Sequence, residues 1–272
     1  MRLLPHAQGV VRAKRRRDEI AVWRIRESTP IAGWSFDGAP IHVGDPWPRR
    51  DGVRILRAER FTAPAGWPLA ETRLSLDVGG ESLLVITYDS GRRLTLGLDV
   101  NHTEFPLDEP GGALEVEAVS KGPFGTPIRD ARLVRAELMR IEPALDDFVR
   151  TVTLAIDLAA ELDGHDLGPE LLDVVDEAMS RLRWPTRSAE VVARESRYSR
   201  GYDREAEPRR ATPAPLNDDA RASIPKAAAW LAAELRALQV RYPPQGAVAL
   251  VGHAHIDTAW LWPIEETYRK VR

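Results

Sequence analysis

Between residues 53 and 120, polar and apolar positions alternate in short runs, and this alternation predicts β-strands. The predicted strands are 53–57, 72–78, 82–88, 92–98 and 114–119. Gly79-Gly80 is interpreted as a hairpin turn before the strand at 82–88, and Asp89-Ser90-Gly91 as the turn after it. Several short strands at this spacing are typical of an antiparallel β-sandwich, in which one face of each sheet is buried.

After Pro127 the apolar residues recur at helical spacing. The predicted helices lie at 131–141, from Pro143 to 159, and at 171–179. Core candidates in this region are Met139, Phe148 and Met179. The acidic residues of the same region are expected at helix starts or on outward faces, because carboxylates on helices are mostly solvated. These acids include Asp146, Asp147, Asp157 and Asp173.

Two stretches are predicted to lack regular structure. Residues 33–50 are rich in Gly, Pro and Trp, which is typical of an irregular loop, and residues 200–215 combine prolines with charges as linkers do. A further helix is predicted before Pro243-Pro244, with Asn217, Asp218 or Ser223 as its N-cap. Pro225 is tolerable only in the first turn of that helix, where a missing N–H does no harm.

These patterns predict an α+β chain in five parts. An antiparallel β-sandwich-like domain is expected at 1–125, a helical segment at 126–199, a linker at 200–216 and a connecting helix at 217–245. The fifth part, 246–272, has a different pattern, since it begins as a strand and ends as a helix.

The fifth part contains the candidate metal-binding residues. Its apolar run at 248–251 has no polar alternation, as in a strand buried on both faces. Pro263 with Glu265 and Glu266 gives the signature of a helix start. In α/β folds, the loop that connects such a strand to its helix is where ligands bind.

His253, His255 and Asp257 occupy alternating positions in that loop. Residues two apart in an extended chain point the same way, so His255 and Asp257 can converge on one ion, and His253 can join them. Imidazole with carboxylate suits zinc in a catalytic site. A single His-x-Asp is nevertheless common by chance, and a histidine near a strand end more often makes an ordinary hydrogen bond. Spacing alone therefore leaves both interpretations open.

The string GHAHIDTAWLWP resembles the opening of the catalytic domain in the α-mannosidases of glycoside hydrolase family 38. Members have a strand, a His-x-His-x-Asp run and a Trp three residues further on, and the matching positions here are His253, His255, Asp257 and Trp260. The resemblance implies that His255 and Asp257 are two of the four protein ligands of a catalytic zinc. It also implies that Trp260 packs against the bound sugar, and it gives His253 no ligand role.

In that family the zinc holds two adjacent hydroxyls of a terminal mannose, while an Asp attacks the anomeric carbon and configuration is retained. The family's nucleophile, acid/base carboxylate and remaining ligands come later in the chain, so no catalytic residue is named here. The sequence ends at Arg272, whereas a β/α-barrel typically needs about 250 residues. We therefore expect the amino-terminal part of an α-mannosidase, inactive alone, with the first strand and helix of the barrel at 246–272.

Residues 63–68 and 97–106 resemble the sandwich-like domain that precedes the catalytic domain in bacterial and cytosolic members of the same family. Within the second stretch, Asp99, His102 and Glu104 could bind a metal or a sugar. The favoured interpretation is that they form the hydrogen bonds that close the loop between two strands.

The composition restricts the possible binding partners and the expected cellular compartment. A net charge of −3 gives no field that would gather nucleic acid or an anionic membrane, and the basic run at 12–17 is interpreted as a solvated helix face or tail. The chain has no cysteine, which leaves the His/Asp loop as the predicted metal site. It has no apolar run of signal-peptide or membrane-spanning length, which predicts a cytoplasmic protein.

Two other functions stay open. A His-x-His after a first barrel strand also opens amidohydrolase-type metal hydrolases, and the β-rich part could be a noncatalytic module that binds carbohydrate or packs on a partner. The Trp-rich continuation at 260–263 favours the mannosidase. The predicted partner is an α-mannoside or oligosaccharide substrate, without nucleic acid or membrane, and a homo-oligomer is left open.

Overall fold

The structure is a computed structural model that describes residues 6–48, 52–122, 126, 128, 131–184, 212–246 and 269. Over these residues it contains two antiparallel sheets and four helices. The α+β class and the sandwich with a helical part are therefore confirmed. The predicted barrel strand and, apart from Arg269, the helix after it lie outside the described residues.

The four helices are α1 (His6–Ala21), α2 (Pro143–Glu161), α3 (Leu167–Ser180) and α4 (Asp218–Arg241). The strands are β1 (Ile25–Pro30), β2 (Trp34–Phe36), β3 (Ala39–Pro40), β4 (Arg54–Thr62), β5 (Thr72–Asp77), β6 (Ser82–Tyr88), β7 (Arg93–Leu98), β8 (Glu104–Pro106), β9 (Gly111–Ala118) and β10 (Arg135–Ile141). One sheet has the order β1-β10-β5-β8, and the other has the order β3-β2-β4-β9-β6-β7.

Two separate hydrophobic cores result from this order. The sandwich core is filled by alternate residues of the facing strands; for example, Leu84 pairs with Val116 and Ile86 with Leu114, all fully buried. The helical core is formed by the apolar stripes of all four helices. Helix α1 lies within the range predicted for the sandwich-like domain, 1–125. Its buried face nevertheless belongs to the helical core.

The helix predicted at 131–141 is wrong, because Arg135–Ile141 forms strand β10 between β1 and β5. Leu138 pairs with Leu74 on the sandwich side, while its neighbour Met139 is also fully buried. The alternation of β10 breaks at Leu138-Met139, where two consecutive residues are buried, so its apolar residues can imitate a helical stripe. Met139 is nevertheless a core residue, as predicted.

The irregular loop predicted at 33–50 contains the short hairpin β2–β3 instead. Asp37 and Gly38 connect its strands with positive φ angles of 48° and 86°, which is the conformation that favours Asp-Gly in two-residue hairpins. Trp47 is buried beyond this hairpin, and its indole N–H donates to the Val78 carbonyl at 2.8 Å. The Asp-Gly pair was the local signal for this hairpin.

Gly79-Gly80 does not form the predicted hairpin, because β5 and β6 belong to different sheets. A Cβ at Gly80 would collide with the Val119 carbonyl oxygen. Glycine is required here by the close approach of another backbone rather than by a tight reversal.

Helix α4 begins after Asn217, whose side chain accepts a hydrogen bond from the Ala220 N–H at 2.7 Å. Of the three predicted caps, Asn217 is therefore the one used. Pro225 consequently lies inside the helix and not in its first turn, so the prediction for Pro225 is wrong. No helix within the described ranges is long and apolar enough to cross a membrane.

Gly112→Ala tests how closely β9 and β6 approach. A Cβ at residue 112 would lie 2.9 Å from the Tyr88 Cα and closer still to the Thr87 carbonyl oxygen. Neither atom can rotate away, so we expect the substitution to lower the free energy of unfolding by about 1–3 kcal/mol in urea denaturation. Gly97→Ala is the matched control, because a Cβ there meets nothing within 4 Å. Equal stability of the two variants would contradict this packing.

Candidate site and the junction that supports it

The predicted site residues lie outside the described residues. They are the two zinc ligands His255 and Asp257, the sugar-stacking Trp260 and the neighbouring His253. Their ligand and sugar-binding roles remain predictions from the sequence. The structure describes the helix that leads to them and the interactions that hold this helix.

The carboxyl end of α4 is fixed to the start of α3 through Glu170. The Tyr242 hydroxyl donates to Glu170 Oε1 at 2.6 Å, and Arg241 donates to the other carboxylate oxygen. The hydrogen bond to Glu170 raises the pKa of Tyr242, and desolvation acts in the same direction. A few residues later Gly246 has a φ of 108°, a conformation that favours glycine. It immediately precedes, in the sequence, the stretch that contains the predicted site residues.

The two cores meet at the buried guanidinium of Arg24, which follows α1. Its Nε donates to Asp146 Oδ1 of α2 at 2.8 Å, and its Nη2 donates to Glu104 of β8. The side chains of Arg24 and Asp146 are only 7% and 9% exposed. Asp146 also accepts from Arg150 at 2.9 Å. Arg24 therefore connects a helix of one core to a strand of the other.

A second group of ion pairs extends this junction. Glu142, which precedes α2, accepts from Arg221 of α4 at 3.1 Å and lies 3.8 Å from Arg26 Nε. Glu71 binds Arg140 at 2.7 Å and Arg26 at 3.5 Å. The hydrogen bond that Arg140 donates to Glu71 raises the pKa of Arg140, although desolvation acts in the opposite direction. We call the residues Arg24, Arg26, Glu71, Glu104, Arg140, Glu142, Asp146 and Arg221 the junction cluster.

The junction cluster is suited to fastening the cores together. Each of its carboxylates is matched by at least one guanidinium, and buried carboxylates of this kind are held by arginine through charge-assisted hydrogen bonds. Asp146 lies at a helix start, in the first turn of α2, as predicted, but its side chain is buried beside Arg24 rather than solvated. The sequence analysis missed Arg24 and Glu142. The local sequence gives no signal for Arg24, and the signal for Glu142 is only that it precedes Pro143 at the start of α2.

Beyond the anchored end of α4, residues 245–272 match the family model for the glycosyl hydrolases family 38 N-terminal domain. The match covers 28 of the 272 residues, and this segment is similar to family 38 sequence. The resemblance carried by His253, His255, Asp257 and Trp260 is confirmed at the level of the family, since all four lie within the match. The search of curated proteins found no match to the chain.

The second candidate site, which precedes the matched segment in the sequence, is a structural turn. The Asp99 carboxylate accepts from the N–H groups of Asn101 and His102 at 2.6 and 3.0 Å and contacts the His102 ring at 2.9 Å. Asp99 and His102 thus close the loop as the favoured interpretation predicted, whereas Glu104 binds Arg24. In the part of the chain that the structure describes, no group of three or more His, Asp or Glu residues could hold a metal.

The basic run at 12–17 lies in α1, and much of it is used within the molecule. Arg12 and Arg16 bind Asp176 of α3 at 3.1 and 2.6 Å. Arg17 is buried and donates to Thr153 of α2 at 3.1 Å. The run is therefore helical, but the prediction of a solvated face or tail is wrong for Arg17.

Arg24→Met tests the role of the junction cluster. The change leaves Asp146 buried without its principal cation, and we expect the free energy of unfolding to fall by about 3–5 kcal/mol, as is usual when one partner of a buried pair is removed. Urea denaturation followed by circular dichroism measures the loss.

Arg57→Met is the matched control for that substitution. Arg57 binds Glu115 at 2.6 Å, but the side chains are 53% and 34% exposed, so the expected loss is below about 1 kcal/mol. Similar losses in the two variants would show that burial of the Arg24 pair is not important for stability.

Proposed function

We propose that this chain is the amino-terminal part of a zinc-dependent, retaining α-mannosidase that removes terminal α-linked mannose from oligosaccharides. The observation that supports the proposal best is the position of the family match, which spans 245–272 and therefore includes His255, Asp257 and Trp260. The proposal places the enzyme in the cytoplasm, as the sequence predicts.

The donor chemistry of the segment fits zinc. His255 offers an imidazole nitrogen and Asp257 a carboxylate oxygen, which together form half of a mixed N/O set of the kind found in catalytic zinc sites. When bound, the metal supplies Lewis-acid contacts to the sugar hydroxyls. His255 and Asp257 would fix its position, and Trp260 would offer a flat apolar surface to the sugar ring.

The described residues that precede the matched segment support a scaffolding role for that part of the chain. Retaining glycosidases need two carboxyl groups roughly 5–5.5 Å apart, one as nucleophile and one as acid/base. The buried carboxylates of the junction cluster are instead bound to arginines, and Asp99 is bound within its own turn. We therefore propose that the nucleophile and the acid/base come from another part of the enzyme, and that the 272-residue chain alone is inactive.

The amidohydrolase alternative shares the metal and differs in the substrate. Both functions accommodate His-x-His after a strand, but the family match favours glycoside hydrolysis over amide hydrolysis. The noncatalytic module is the remaining alternative, and it predicts neither bound zinc nor turnover in the complete protein.

His255→Ala and Asp257→Asn in the complete protein test the proposal. Changes to residues that merely support a metal ligand typically cost 10–100-fold, so loss of a ligand should lower hydrolysis of an aryl α-mannoside by at least about 100-fold. Zinc content, measured by plasma mass spectrometry, should fall in the same two variants.

His102→Ala is the control, because the His102 ring contacts the Asp99 carboxylate and residue 102 lies outside the matched segment 245–272. It should retain both zinc and activity. Retention of zinc in both ligand variants would contradict the metal assignment. Turnover of amides without turnover of α-mannosides would support the amidohydrolase, and hydrolysis by the 272-residue chain alone would contradict the proposed division of roles.

A further inference from the structure

The two sheets end in four edge strands within the described chain, and three of the four contain a proline. Edge strand β1 has Pro30, β8 has Pro106 and β3 has Pro40. Proline at an edge removes an N–H and discourages the addition of another strand. The fourth edge strand, β7, has no proline, and its six residues exceed the three of β8 and the two of β3.

Strand β7 is regular along its whole length. It pairs with β6 from Thr87↔Arg93 to Ser82↔Leu98 without a bulge. At the hairpin end, the Tyr88 N–H donates to the Arg92 carbonyl at 2.9 Å. Because hydrogen-bonded and non-hydrogen-bonded pairs alternate in an antiparallel ladder, this bond fixes the direction of every following backbone group.

The odd-numbered residues of β7 direct their backbone groups away from β6. By that alternation, Leu94 and Leu96 bond to β6, whereas the N–H and C=O groups of Arg93, Thr95 and Gly97 point outward. All three of these residues are exposed. The outer side of β7 therefore presents a row of donors and acceptors that a further strand could bind.

The sequence of β7 is complementary to itself in antiparallel orientation. With Thr95 opposite Thr95 of a second copy, Arg93 lies opposite Gly97 and Leu94 opposite Leu96. In this register no like charges face each other, and apolar residues pair on the core side of the sheet. Arg93 also comes diagonally next to Asp99 of the second copy, so the charges at the two ends are complementary.

Gly97 is explained by the same register. A Cβ at this position would meet nothing within 4 Å, so packing within the chain does not require glycine. Glycine weakens a strand and commonly marks a place where another backbone approaches. Opposite Arg93 of a second copy, it leaves room for the long side chain.

We propose that β7 is a self-association edge, through which two copies of this chain pair their six-stranded sheets about a two-fold axis at Thr95. Three facing residue pairs then exchange backbone hydrogen bonds, and the interface is isologous. This inference is independent of the proposed mannosidase activity.

Sedimentation equilibrium of the 272-residue chain over a range of concentrations tests the proposal. The parent should approach twice the monomer mass as concentration rises. Thr95→Pro removes an N–H that points away from β6, so the fold should be retained while dimerisation is lost. Thr95→Val is the matched control, because it retains the N–H and suits a strand, and it should dimerise like the parent. Circular dichroism checks that both variants fold.

Charge substitutions at the same position test the register. Thr95→Lys and Thr95→Glu each place like charges opposite one another at the two-fold axis, so each variant alone should be monomeric. An equimolar mixture should restore the dimer. A parent that stays monomeric at all concentrations, a Thr95→Pro variant that dimerises normally, or a mixture that stays monomeric would each overturn the proposal. Binding of a different extended peptide at β7 by a monomeric parent would also overturn it.

Discussion

The buried guanidinium of Arg24 is the constraint on which this architecture depends. The sandwich and the helices have separate hydrophobic cores, so apolar packing within each core does not determine how the two are joined. Arg24 binds Asp146 on the helical side and Glu104 on the sandwich side. Removing a charge from water is costly unless its partners are well placed, so a buried pair favours one arrangement of the elements that supply it.

This constraint extends along α4, the helix that precedes the segment matched by the family model. The first turn of α4 is bound to the junction cluster by Arg221 and Glu142, and Tyr242 just beyond its last turn is bound to Glu170. A helix held near both ends transmits the position of the helical core to the residues that follow it. The described part of the chain can thus support the proposed site, whose predicted residues lie within the matched segment 245–272.

Local patterns in the sequence predicted much of the fold. Alternation located β5, and Pro143 located the start of α2, because both signals lie within a few residues. Local patterns failed for β10, whose alternation breaks at Leu138-Met139, and for Arg24, whose partners are 80 and 122 residues away. The proposed zinc ligands were found because His255 and Asp257 are neighbours in sequence, whereas ligands from distant loops leave no local signal.

Native-state hydrogen exchange of the amides in both cores tests most directly whether Arg24 unites them. We expect the slowest amides of β6 and β9 in the sandwich and of α2 and α3 in the helical core to exchange with the same opening free energy, because the two cores open together. A distinctly lower opening free energy for one core would show that it unfolds independently, and would contradict the account.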